Sequence, residues 1–226
     1  MINFPYEGIL SALFVLVLVT AAFILTRRNI LSLFTNYAMQ SLFIAIIALI
    51  LFLKENSVTL LVLSILTFAT RVLIIPYVIK KIQKLMRIRR DVSFHYLTPI
   101  SSLIVSIVLI ISIYYSFYKF AANLSLAGVS YLGSTLGISL TFIGMLVIFS
   151  RKKAITKIVG YLVMENGVLL FSLFFSELPL IVEILIILDL IMLILIAAIL
   201  AFGIDSTLEE FHQKINPLQK WVKEKF

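Results

Sequence analysis

The chain has 226 residues, 62% of them hydrophobic and 13% charged, and its mean hydropathy of +1.15 is far above that of a soluble domain. It carries 19 Lys and Arg against 11 Asp and Glu, no Cys and two scattered His, which excludes disulfides, thiolate-bound metals and Cys-held iron–sulfur clusters and leaves no spacing for a dedicated metal site. The basic residues sit in short clusters between apolar runs, the distribution of membrane orientation signals and not of a nucleic-acid footprint.

Seven apolar runs have about the 20 residues needed to cross a hydrocarbon core of ~30 Å. They predict spans at 8–26, 30–53, 57–79, 96–118, 131–149, 157–176 and 180–202, an all-α polytopic membrane protein. The first run is flanked by Glu7 and followed by Arg27 and Arg28, the reverse of a cleaved signal, so it is expected to be retained. Basic residues cluster in alternate connections, at 27–28, 80–90, 151–157 and 214–225; Lys54 and Lys119 lie in the opposite set, and Arg71 within a span. The positive-inside rule then sets the N-terminus outside and the C-terminus in the cytoplasm, which agrees with an odd number of spans.

The first two connections are a few residues each, so spans one to three are expected to be neighbours. The third span carries Arg71 and then Pro76, whose missing N–H leaves a carbonyl that another group must satisfy. The basic segment from Lys80 to Asp91 reads as an orientation signal at anionic headgroups. His95, Thr98, Pro99 and Ser101 make the cytoplasmic start of the fourth span polar, and Asn123 opens an Asn-Leu-Ser sequon in the connection that follows. Spans five to seven form a second tight triplet. A shift of 125 residues lays Arg27 and Arg28 on Lys152 and Lys153, and Met39-Gln40-Ser41 on Met164-Glu165-Asn166, a weak parallel repeat. Three parts are expected: a four-helix part over 1–118, a three-helix part over 131–202 and an interfacial cytoplasmic tail over 203–226, where Leu208, Phe211 and Trp221 alternate with Lys and Glu.

The stretch Gly160 to Gly167 sets Glu165 and Asn166 between glycines inside a predicted span. A carboxylate at the bilayer centre costs roughly 2.5 to 3.5 kcal/mol on insertion scales, so it is by default an ion-handling candidate. At 1.5 Å per residue, Glu165 and Arg71 lie roughly 12 Å from the cytoplasmic side, Gln40 about 15 Å, and Asp189 about 13 Å from the outer side, near one plane. Glu183 is shallower and points about 120° away from Asp189. Lys157, Tyr161 and Glu165, spaced by four, make a polar stripe from the cytoplasmic surface to mid-depth. Gly160 and Gly167, one heptad apart, offer a close-packing line. Two readings stay open: a static buried network of Arg71, Glu165 and Asp189, or a surplus carboxyl that takes and releases protons.

Gly160-Tyr161, Met164-Glu165-Asn166-Gly167, Pro179, Val182-Glu183-Ile184 and Asp189 resemble the C-terminal signature of the hydrogenase-4 component E family, and Gln40 with the run from Arg71 to Pro76 resembles its second and third helices. The resemblance covers most of the chain. It implies a membrane subunit of group 4 NiFe hydrogenase, formate hydrogenlyase or a related complex, whose last three helices are similar to the small three-helix subunit of complex I and the C subunit of Mrp-type antiporters. It further implies a subunit without cofactor, seated in the cytoplasmic membrane among antiporter-like subunits. There Glu165, and approximately Asp189, match acids on a lateral proton path. A retinal protein would need a Lys within 180–202, and none is there. A secondary transporter would show broken helices in inverted halves, and a purely structural linker would tolerate neutral replacement of every buried charge.

Overall fold

A computed structural model of the chain describes residues 6–27, 29–78, 97–123, 126–151 and 154–174, together with 187 and 191. These form six helices: α1 Tyr6–Thr26, α2 Ile30–Glu55, α3 Val58–Val78, α4 Pro99–Asn123, α5 Gly128–Ser150 and α6 Ala154–Ser172. The first five are long and apolar enough to cross a membrane, so the described chain is all-α with the make-up of a multi-pass membrane protein. The expected seventh span, with Glu183 and Asp189, lies outside the described residues apart from 187 and 191, as do His95, the basic segment from Lys80 to Asp91 and the tail.

Helix ends follow local chemistry. Asn29 caps α2, its side chain accepting from the Leu31 N–H at 3.1 Å, and Asn56 closes α2 in the left-handed region (φ 52°), its N–H donating to the Phe52 carbonyl. The fourth predicted span starts three residues late, because Pro99 takes the first helical position, where its missing N–H costs nothing. Thr98 caps it by accepting from the Ser101 N–H at 3.2 Å. At its other end α4 runs past Tyr118 to Asn123. Phe117 stacks on Tyr131 and meets Phe171 edge-on, and Ala121 is buried, so tertiary packing carries the helix beyond the apolar run. Gly128, at φ +57°, opens α5. The start of α6 also lies earlier than the predicted 157.

Within α3 the regular helix of Val58–Thr67 widens to a π-helix over Phe68–Ile74. Pro76 explains the change: its ring collides with a normal turn and its nitrogen donates nothing. The turn before it opens by one residue, with the Ile75 N–H reaching back to the Thr70 carbonyl.

The hairpins α1–α2 and α5–α6 form the centre, with α3 packed on α2 and α4 on α5 and α1. The starts of α1 and α5 and the ends of α2 and α6 surround one cavity, of about 170 Å³, lined by Tyr6, Lys54, Glu55, Val129 and Phe174 among others. At the opposite end Arg151, after α5, reaches the end of α1. Helices α1 and α5 therefore run one way, and α2 and α6 the other. Phe14, Ile24, Leu33, Ile44, Leu140, Leu162 and Val163 fill the space between them. Outside, Ile100, Ile107 and Tyr115 of α4 are exposed, as expected of a surface solvated by lipid tails.

Candidate functional site

The buried face of α2 repeats at helical spacing through Tyr37, Gln40, Ser41, Ile44, Ala45 and Ala48, so Gln40 and Ser41 enter the interior as members of an otherwise apolar stripe. That stripe contacts both α3 and α6. From α6 come Glu165 and Asn166, from the π segment of α3 comes Arg71, and all five polar side chains are at most 1% exposed.

Asn166 is the hub. Its Oδ1 accepts from Arg71 Nη1 at 2.7 Å, and its Nδ2 donates to Gln40 Oε1 at 3.1 Å and to Ser41 Oγ at 2.9 Å. Gln40 Nε2 in turn donates to the Val17 carbonyl of α1 at 3.4 Å. A single run of polar contacts thus crosses α3, α6, α2 and α1. Arg71 Nη2 lies 3.9 Å from Glu165 Oε2, an ion pair longer than a direct charge-assisted hydrogen bond. The predicted residues Gln40, Arg71, Glu165 and Asn166 are brought together here. Asp189 and Glu183 lie outside the described residues.

The three residues of the predicted polar stripe differ in exposure: Lys157 is exposed, Tyr161 half-buried and Glu165 buried. Thr156, beside Lys157, is fully buried. Gly160 and Gly167 lie on the α5 side of α6. A Cβ at Gly160 would stand 2.8 Å from the Ile148 nitrogen, and one at Gly167 would meet the Thr141 nitrogen and stand 2.7 Å from the Gly137 carbonyl. These glycines set the backbone separation, and hence where Glu165 and Asn166 point.

No protein-family model, curated protein or solved structure matches the chain.

Sequence reasoning missed two functional contributions. Ser41 entered only through the repeat, yet it both donates to Asn166 and accepts from it. Arg151 counted only as an orientation charge, yet it is 1% exposed and its Nη2 donates to the carbonyls of Ile24, Leu25 and Arg27 at 2.9, 3.0 and 3.1 Å. A signal was present: α1 carries no basic residue in its last turn, so its terminal carbonyls need a donor from elsewhere.

Among the described residues no three His, Cys, Asp or Glu converge as a metal would require. Among the described residues the charged members of the site are the Arg71 guanidinium and the Glu165 carboxyl. Of the two kinds of group, a carboxyl can carry an exchangeable proton, whereas a guanidinium keeps its charge.

Proposed function

We propose that the chain is a non-redox membrane subunit of a hydrogenase or complex I-like respiratory complex, in which Glu165 passes protons, or another small cation, across mid-membrane in step with electron transfer elsewhere. One observation carries this reading: a carboxyl 1% exposed inside an apolar bundle stands 3.9 Å from its Arg, while the Arg makes its 2.7 Å bond to a neutral amide. A carboxylate that served only to neutralise Arg71 would be expected in close, two-bonded contact. The resemblance of the segment from Gly160 to Asp189 to hydrogenase-4 component E supports the same assignment. The full arrangement has seven spans, with the N-terminus outside and the C-terminus cytoplasmic. Lys157 and Tyr161 form the cytoplasmic approach, and Asp189 continues the lateral path from the seventh span with Glu183 towards the outside. Other membrane subunits, antiporter-like ones included, are the partners in the plane of the bilayer.

A structural reading has its own support, since the contacts from Arg71 through Asn166 and Gln40 to Val17 tie four helices together. Two experiments separate the readings. Copurification of the tagged chain should bring down a redox module; a chain that purifies alone and transports ions by itself refutes the subunit assignment. Glu165→Gln should leave the complex assembled and abolish its ion translocation, whereas a purely structural network would leave translocation intact.

A further inference from the structure

The two hairpins leave a cavity between them at the end of the bundle where α1 and α5 start, about 170 Å³ in volume and lined by all four of their helices. Its wall changes character with depth. At the mouth stand Tyr6, Lys54, Glu55 and Ser130, charges of both signs among them, with the Lys54 ammonium 4.7 Å from the centre of the Tyr6 ring. One helical turn further in, α1 and α2 offer Leu10 and Leu51, but α5 offers another hydroxyl, Ser134, four residues after Ser130 and so on the same face. Ser134 is fully buried, and among the described residues its Oγ has no hydrogen-bond partner. Its neighbours on α5 show the usual solution: Thr135, Ser139 and Thr141 each donate to the carbonyl one turn back, at 2.8, 2.8 and 2.9 Å. A buried hydroxyl that does not close this bond calls for another partner. Beside a cavity of this size that partner is water, which takes about 30 Å³ a molecule in the liquid.

We propose that this cavity is an aqueous vestibule, wetted as far as the Ser134 hydroxyl, through which the ion path opens at one end of the bundle, the outer face in the arrangement proposed above. As a port it rests on the reading of Glu165 as a carrier. Walled by helices of both hairpins and charged at its mouth, the cavity suits water better than a lipid tail. Distance gives it a purpose. Along α1, Tyr6 at the mouth is eleven residues, about 16 Å, from Val17, whose carbonyl takes the Gln40 amide of the polar cluster; from Leu10 the remainder is about 10 Å. Water at the level of Leu10 and Ser134 therefore shortens the dry part of the route to the buried cluster.

The chain has no Cys, so a single introduced thiol is its sole target for a thiol reagent. Ser134→Cys and, on the α2 wall, Leu51→Cys are placed in the full chain within its parent complex. Right-side-out membrane vesicles are then treated with methanethiosulfonate ethyltrimethylammonium, which is charged and does not cross the bilayer. Such reagents are attacked by the thiolate, which forms in water and not in a dry core. The label, read by mass spectrometry, should appear on both thiols at least about tenfold faster than on Ser139→Cys, a buried position whose hydroxyl is bonded within its own helix. Treatment should also stop ion translocation in the Ser134→Cys membranes relative to the same membranes untreated, and a reductant that removes the adduct should restore it. Thiols at 134 and 51 that label no faster than Ser139→Cys, as behind a lipid tail, overturn the vestibule. Labelling that leaves translocation untouched overturns its place on the ion path. Either result leaves the carrier reading standing, which falls only if Glu165→Gln translocates normally.

Discussion

Arg151 shows how little a charge's position in the sequence says about its partner. A basic residue at the end of a span reads identically whether it faces lipid headgroups or another helix, and here it is buried against three carbonyls that α1 cannot satisfy itself. Charge-assisted hydrogen bonds contribute roughly 1.5–3 kcal/mol each, and the three share one Nη2, so Arg151→Met should cost about 2–3 kcal/mol. Thermal melting of the detergent-solubilised chain should show a clear loss for Arg151→Met and a smaller one for Arg151→Lys. A melt unchanged in Arg151→Met would mean that α1 finds other donors. The polar cluster was more legible. Gln40, Arg71 and Glu165 stood out because each is costly in hydrocarbon, and depth counted at 1.5 Å per residue put them near one level. Depth does not fix rotation about the helix axis, so the choice of Asn166 over Glu165 as the close partner of Arg71 was not legible.

At the scale of elements, the α5–α6 pair depends on two matched glycine pairs, each spaced by a heptad: Gly137 and Gly144 on α5, Gly160 and Gly167 on α6. The α6 pair was visible as a packing line. The α5 pair acquires meaning only once the helices are paired, when a Cβ at Gly144 meets the Met164 backbone and one at Gly137 meets that of Phe171. Backbone atoms cannot rotate out of the way, so Gly167→Val must push the helices apart. Overpacking of this kind costs about 1–3 kcal/mol, and it would also shift Glu165 and Asn166 relative to α2. Lower folded yield and a lower melting temperature are expected for Gly167→Val, with Gly8→Val unchanged because nothing lies within 4 Å of its Cβ position. Equal melting of the two variants would argue against the close seam. The π segment of α3 was half legible. Pro76 announced a break in the hydrogen-bond ladder, but whether a helix kinks or widens depends on the neighbours it packs against, here α2 and, through Arg71 and Asn166, α6.

At the scale of the molecule, the weak 125-residue repeat corresponds to a physical contact. Ser41 and Asn166, which the shift superposes, bond to each other, and Arg151, superposed on Thr26, binds the carbonyls around it. Equivalent residues meet in this way when two like-oriented hairpins face each other across an approximate two-fold axis. The cluster then sits where the hairpins face, with α3 bringing Arg71 from one side. In place of the neutral Gln40, the second hairpin presents the acid Glu165, the difference on which the proposed function rests. The apolar runs were legible because bilayer thickness dictates their length, and short connections made the pairs α1–α2 and α2–α3 legible too; how the two hairpins face each other was not, since lipid and protein interior are equally apolar. The most direct measurement is proton translocation by inverted membrane vesicles carrying the assembled parent complex with Glu165→Gln. If Glu165 carries the proton as proposed, electron transfer continues while the pH gradient is lost. An undiminished gradient in that variant would contradict it.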